Sequence, residues 1–359
     1  MIARYTVIRG RGAVTNASGR FESDRREGFD DGWSEPEPPA RIDTTLTAER
    51  ARTILTRNDS PDIGFDRSIN PYRGCEHGCI YCYARPAHAY AALSPGLDFE
   101  TRLFFKPDAP RLLERELSKP GYRCERVHIG GNTDPYQPAE RKLMITRQVL
   151  EVLDAFNHPL SIITKSALIV RDADILARMA ERNLASACIS ITTLDPALAR
   201  DMEPRASTPA RRLDTIAKLS AAGIPVMAGF APVIPGLNDH EMEALLEAAA
   251  QAGATWAMFV TLRLPMEIKD LFREWLSQAR PDRAARVMSL VRQTRGGRDY
   301  DAEWGSRMVG RGPVADLIEA RFTAACRRLG LNTQRRDANT ASFRVPPKAG
   351  DQTDLFNAS

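Results

Sequence analysis

The chain has 359 residues, of which 43% are hydrophobic and 27% charged, with a formal net charge of +4. That suffices for one large core with small appendages, and the mild basic excess permits nucleic-acid binding without requiring it. No apolar run is long enough to cross a bilayer and no hydrophobic leader opens the chain, so no membrane role and a cytoplasmic location are expected.

Residues 1–45 read as a poorly ordered N-terminal arm. Arg9-Gly-Arg-Gly12 is followed by abundant Asn, Ser, Gly, Asp and Glu and by Glu35-Pro-Glu-Pro-Pro39, a composition that buries little surface. Phe21, Phe29 and Trp33 are its available anchors should it dock.

From 46 to 265 short apolar runs alternate with amphipathic ones. Strands are expected at 68–72, 127–129, 161–164, 187–192, 226–230 and 256–261. Helix-like segments lie near 84–92, 109–118, 140–156, 171–182, 210–222 and 239–251, and 98–105 is an added extended piece. Strands alternating with helices predict βα units on a parallel sheet: an incomplete (β/α)6 TIM-like barrel, with an open doubly wound sheet as the alternative. Residues 266–331 read as a helical C-terminal extension packed on this core, and 332–359 as a flexible tail.

Six cysteines in a cytosolic chain of this length do not suggest a disulfide framework. Cys75, Cys79 and Cys82 crowd into a C-x3-C-x2-C motif directly after the first expected strand, whereas Cys124, Cys188 and Cys326 are scattered. In a βα barrel that loop lies on the C-terminal rim, where active sites are built. Thiolates suit soft metals and iron–sulfur clusters. A structural zinc site needs a fourth ligand, and His77, awkwardly placed between the cysteines, is the one local candidate. A cubane has four irons, so three cysteines leave one open to a cosubstrate. A zinc knuckle or redox dithiol is the non-enzymatic alternative.

The motif, with Tyr81 before its third cysteine, resembles the signature of the radical S-adenosylmethionine (SAM) superfamily. The resemblance implies a [4Fe–4S] cluster on Cys75, Cys79 and Cys82 whose open iron chelates SAM. Reductive cleavage of SAM then gives methionine and a 5′-deoxyadenosyl radical, with an electron donor such as a flavodoxin or ferredoxin. It also implies that Tyr81 packs near adenine. Gly130-Gly131-Asn132-Thr133-Asp134 resembles the segment that holds the SAM amino group, although the usual acid is missing; its paired glycines allow close backbone approach. Lys165, at the end of the third strand, suits the SAM carboxylate. Ser190 and Thr192, sharing a face with Cys188 by period-two alternation, resemble the ribose-binding position. The Pro-rich run 229–239 resembles the segment that edges adenine. Glu203 and Arg205 supply charge to this site or form a surface pair.

Asn70-Pro-Tyr-x-Gly-Cys75, the Asn-Thr-Asp-Pro-Tyr136 loop and Ala231-Pro-Val-Ile-Pro-Gly-Leu-Asn-Asp239 together resemble the spore photoproduct lyase-like branch, also described as DNA repair photolyase-like. That implies a lyase acting on damaged DNA; RNA, a peptide or a metabolite is the alternative substrate. One departure touches the lyase chemistry: the branch's hydrogen-donor cysteine falls at Gly131. Cys188, on the expected lumen face, is either a substitute thiol or a buried inert cysteine, and Tyr83 and Tyr136 are candidate radical relays. At the tail, Gln352-Thr-Asp-Leu355-Phe356 resembles the pentapeptide by which bacterial repair proteins bind the DNA sliding clamp.

Overall fold

The computed structural model describes residues 10–23, 42–334 and 337–347. Ten strands are present among them: β1 (Thr45–Ala48), β2 (Leu55–Arg57), β3 (Arg67–Ile69), β4 (Tyr72–Arg73), β5 (Arg102–Phe105), β6 (Val127–Ile129), β7 (Leu160–Thr164), β8 (Ala185–Ser190), β9 (Val226–Val233) and β10 (Trp256–Thr261). The main sheet runs β10-β9-β8-β7-β6-β3-β2. Six of its strands are parallel, and β2 lies antiparallel on the β3 edge. This is the incomplete (β/α)6 barrel expected from the alternation.

Each crossover helix buries a stripe of 3.6-residue period against the sheet. Leu112, Leu113 and Leu117 do so from helix Ala109–Leu117, and Ile145, Val149, Leu150 and Leu153 from Ile145–Ala155. The strands meet them with alternate residues: Val127 and Ile129, Leu160 and Ile162, Ala187 and Ile189, Ala228 and Phe230. The other set (Ser68, His128, Ser161, Lys165, Cys188, Ser190) therefore faces the concave side. That face is polar, and several of its members are only half-buried. The sheet thus has one greasy face and one wet one, which is how a βα barrel makes a lumen rather than a second core.

The expected first strand, 68–72, divides in two. Pro71 has no N–H to continue the ladder, so β3 stops at Ile69 and Tyr72–Arg73 joins β5 in a separate sheet, β1-β5-β4. The piece at 98–105 is half helical, Asp98–Thr101, before β5 begins. The helix expected at 140–156 breaks at Met144, which takes a φ of 52°.

The region after β10 is not one appendage. Helices Ile268–Ala279 and Ala284–Gln293 build a second core over the rim, packing Leu271, Phe272 and Val287 with Ile80, Tyr81, Met202 and Leu237. Helix Pro313–Leu329 returns to the barrel wall through Ile318 and Phe322. Between them, the chain near Met308 spans the open side of the barrel. Thr261 N–H donates to the Met308 carbonyl at 2.9 Å, and Arg307 pairs with Asp62 of the loop after β2.

Both flanks depart from the expected arm and tail. Arg11, Gly12, Ala13 and Val14 are buried, held by the Arg11 guanidinium on the Glu100 and Ile42 carbonyls and by the Gly12 and Ala13 N–H groups on the Glu100 carboxylate rather than by aromatic anchors; Phe21 is 56% exposed, and Phe29 and Trp33 lie outside the described residues. Asn332 caps β10 by bonding both the N–H and the carbonyl of Ala257, at 2.8 and 3.0 Å. Phe343 packs against Tyr122, Phe156 and His158, and Arg344 N–H reaches the Phe156 carbonyl at 3.0 Å. Among the described residues no helix is long and apolar enough to cross a membrane. Gln352, Leu355 and Phe356 lie outside the described residues.

Candidate active site on the barrel rim

The cysteine loop leaves the C-terminal end of β3 after the Pro71 break. Cys75 and Cys79 are buried, Cys82 is half-buried, and none of the three is in a disulfide. Burial pushes the Cys75 thiol well above its ordinary range, and Asp134, Cys79 and Cys82 add to the effect. Cys79 is pushed up to about 12, by burial first and then by Glu203. Among the described residues no three His, Cys, Asp or Glu side chains converge around one point as the ligands of a single ion do. In number and softness the donors fit an iron–sulfur cluster, whose ligands bind separate irons.

His77, the one candidate for a fourth zinc ligand, is buried with its Nδ1 3.2 Å from Asp134 Oδ2. Asp134 is a clamp between three loops. It accepts from the Thr164 hydroxyl at 2.6 Å, the Lys165 N–H at 2.8 Å and the Tyr136 N–H at 2.9 Å. Burial alone would raise this carboxyl, but His77 and these donors bring it down to about 2. Thr133 donates to the Gly74 carbonyl at 2.7 Å. The side chains of Thr133 and Asp134 thus tie this segment to the cysteine loop and to the end of β7. Asn132 is exposed, its N–H bound to Asn70 Oδ1 at 2.9 Å.

The two glycines differ. Gly130 has φ +99°, and a Cβ there would come within 2.6 Å of the Ile163 carbonyl oxygen. Gly131 has room: its nearest neighbour to a Cβ is His128 at 3.8 Å.

Across the lumen a buried network surrounds Tyr81. Its hydroxyl donates to Glu203 and lies 3.0 Å from the Thr192 hydroxyl, which itself donates to Glu203 at 2.6 Å. Glu203 pairs with Arg212, and both side chains are buried. Burial opposes ionisation of Glu203, yet Arg212 and Lys165 bring it down to about 2. Arg212 also donates to the Ser190 carbonyl at 3.0 Å. Glu203 is thus not the partner of Arg205, which pairs with Glu76 at 2.7 Å. The Lys165 ammonium stands 5.7 Å from the Tyr81 ring centroid and lowers the pKa values of Cys79, Glu203 and Cys188 from what burial would give.

Ser190 donates to the Ala231 carbonyl at 3.3 Å. The run after β9 is locked by buried Asn238, which donates to the Thr192 carbonyl at 2.7 Å and accepts from Ile234 N–H at 2.6 Å. Cys188 lies beside Gly229, its sulfur 3.2 Å from where a Cβ would stand, and burial pushes its thiol up to about 12. Of the two tyrosine relays, Tyr136 is buried in the core between sheet and helices and does not face the lumen. Tyr83 is on the rim, its hydroxyl bound to the Gly131 carbonyl and its ring under the Arg263 guanidinium at 5.2 Å.

The three thiols, Tyr81, Lys165, Ser190 and Thr192 thus gather at the C-terminal ends of β3, β7 and β8. Residues 69–249 match the family profile of the Radical SAM superfamily. The chain belongs to the radical SAM superfamily. It is 38% identical over 233 residues to an uncharacterized protein of Mycobacterium tuberculosis, spanning 64% of this chain and 68% of that one. Its fold is similar to spore photoproduct lyase complexed with dinucleoside spore photoproduct, with a TM-score of 0.59, 16% identity and 80% of each chain covered. A spore photoproduct lyase variant with bound AdoMet and dinucleoside spore photoproduct gives 0.58, at 17% identity and the same 80% coverage of both chains. This radical SAM enzyme therefore shares the fold of that group over 80% of its length, and the family implies an iron–sulfur cluster and SAM.

Proposed function

We propose that Cys75, Cys79 and Cys82 hold a [4Fe–4S] cluster and that the protein cleaves SAM reductively to act on damaged DNA. The observation that carries the first part is the donor set: three cysteines outside any disulfide on one loop of the barrel rim, in a chain of the radical SAM superfamily. When bound, the cluster supplies an electron to the sulfonium of SAM, giving methionine and a 5′-deoxyadenosyl radical.

The protein's own residues take the remaining tasks. Lys165 directs a cation into the lumen and suits the SAM carboxylate. The backbone of Gly130, Gly131 and Asn132 approaches the SAM amino group, while Thr133 and Asp134 position it by tying this segment to the cysteine loop. Tyr81 offers its ring to adenine, and the Glu203–Arg212 pair fixes its hydroxyl. Ser190 and Thr192, buried and bonded to the Ala231 carbonyl and to Glu203, take the ribose position that the family resemblance implies. Cys188, buried and kept protonated, retains the S–H that a hydrogen donor requires where Gly131 has none.

A DNA substrate is supported by the architecture shared with a protein solved with a dinucleoside photoproduct, by the net charge of +4 and by the tail run ending in Leu355 and Phe356. A base must leave the duplex to reach such a lumen. A cytoplasmic location, a flavodoxin or ferredoxin as electron donor and a lyase outcome belong to the same proposal. The test is anaerobic reconstitution, expected to give about four irons per chain, followed by incubation with deuterated damaged DNA. Label appearing in 5′-deoxyadenosine supports the reading. Stoichiometric zinc, or a fourth permanent protein ligand, overturns the cluster assignment; SAM cleavage without label transfer from any DNA overturns the substrate.

A further inference from the structure

Beside the lumen, a separate cavity of about 210 Å³ opens on the rim between the segment after β7 and the segment that precedes helix Pro209–Ala221. Arg141, Arg171 and Arg211 line it with Ser166 and Ser207, and no carboxylate does. Arg171 is neutralised by Glu140 and Asp172, each at 2.8 Å. Arg141 and Arg211 are exposed, and neither guanidinium has an ion-pair or hydrogen-bond partner among the described residues. The two serines are oriented by their acceptor roles. Ser207 Oγ accepts from Ala167 N–H at 2.8 Å, and Ser166 Oγ accepts from Leu168 N–H at 3.2 Å. Each hydroxyl lining the cavity thus keeps its own proton to donate. Two uncompensated cations and two hydroxyl donors, with no acceptor of comparable strength, are the complement of a phosphate group.

We infer that this cavity seats one backbone phosphate of a polynucleotide substrate. The inference rests on the nucleic-acid reading above. The cavity's walls are the direct continuations of the site: Ser166 follows Lys165, Arg211 precedes Arg212, and Ser207 N–H donates to the Lys165 carbonyl at 3.2 Å. A strand whose base enters the lumen must carry its backbone over this rim. The two free arginines are exposed, so the site is shallow. That suits a polymer, which shares its hold among many phosphates, better than a free anion, which must be gripped at one place.

The test compares wild type with the double variant Arg141→Gln/Arg211→Gln, both reconstituted, in binding a single-stranded oligonucleotide across a salt series. Neither residue touches the cluster loop, so iron content and substrate-free SAM cleavage should be unchanged. Affinity at low salt should fall about tenfold, and the slope of log affinity against log salt should decrease by about 0.7, the value for one phosphate of a single strand. A parallel titration with inorganic phosphate at constant ionic strength separates the sources. If the variant loses a phosphate site yet binds the oligonucleotide as wild type does, the cavity serves a free anion and the inference fails. If wild type binds the oligonucleotide and the variant's affinity and slope are unchanged, the cavity is not a contact, and the DNA reading survives without it. If wild type binds no polynucleotide at all, both fall together.

Discussion

Replacing Arg212 with Met should expose how much the lumen depends on the Glu203–Arg212 pair. Both side chains are buried, at 0% and 2% exposure, so the variant leaves a carboxylate in a low-dielectric site with only Lys165 as a nearby cation. Removing one member of a buried pair costs about 3–5 kcal/mol. The shift of the carboxyl is of the same order: brought from 4.5 down to about 2, its charged form is favoured by about 3 kcal/mol. The sign with pH follows. In wild type, Glu203 contributes stability above pH 4.5 that is lost as pH falls toward 2, so the pair is intact at neutrality. In Arg212→Met, burial dominates and raises the carboxyl, so the variant alone should gain stability as pH falls from 7 to 6. The assay is the urea midpoint at both pH values, with Glu203→Gln/Arg212→Met as control. The double variant should recover most of the loss, since it leaves no buried charge unpaired. A loss under about 1 kcal/mol at pH 7, or no recovery in the double variant, would refute the view that this pair is a desolvated, coupled unit.

Gly130→Ala should cost about 1–3 kcal/mol in backbone strain, with further cost from the Ile163 carbonyl, whereas Gly131→Cys should fold within about 1 kcal/mol of wild type because a Cβ meets nothing closer than 3.8 Å there; thermal melts of the two separate these outcomes. Lys165→Met should weaken SAM binding tenfold to about a hundredfold, the loss of one charged hydrogen bond, while iron content holds; an unchanged Kd removes Lys165 from the SAM site. Deleting residues 352–356 should abolish clamp pull-down and leave SAM cleavage intact, and pull-down that persists would remove the clamp proposal.

What could be read from sequence was whatever local chemistry fixes. Cys75, Cys79 and Cys82 are legible because their spacing lies within one loop. The strands of 127–129 and 160–164 are legible because alternation has to match the pleat. The break at Pro71 was available too, from the missing N–H, though 68–72 reads as one apolar strand. The partners of charged residues were not legible. Glu203 lies two residues from Arg205 and nine from Arg212, and only the packing of Met202 and Tyr81 beneath the rim helices decides that the farther arginine wins. Asp134 looks like a ligand-facing acid until three loops are seen to converge on it. Residues 10–14 and 337–347 have the composition of free chain, and their docking rests on main-chain hydrogen bonds together with the Arg11 guanidinium and the Phe343 ring, which composition does not report.

That docking has a consequence for the cluster loop. Arg85 is fully buried and spends all five of its N–H groups: on the carbonyls of Cys79 at 2.9 Å, Gly78 at 3.1 Å, Pro95 at 3.1 Å and Gly96 at 2.9 Å, and on Glu100 at 2.5 Å. Glu100 in turn accepts the N–H groups of Gly12 at 2.9 Å and Ala13 at 2.8 Å. Gly12 lies so close that a Cβ would stand 1.7 Å from the Gly78 carbonyl oxygen, inside the cysteine motif. A buried ion pair of this kind roughly breaks even in stability; what it fixes is the position of the Gly78 and Cys79 carbonyls. Without metal, burial keeps the Cys75 and Cys79 thiols protonated, so they carry no charge that could organise the loop. If these cysteines hold the proposed cluster, its loading would exchange those protons for iron. The loop's geometry must therefore come from groups whose charge does not change in that exchange, and Arg85, Glu100 and the main chain of the N-terminal segment are those groups.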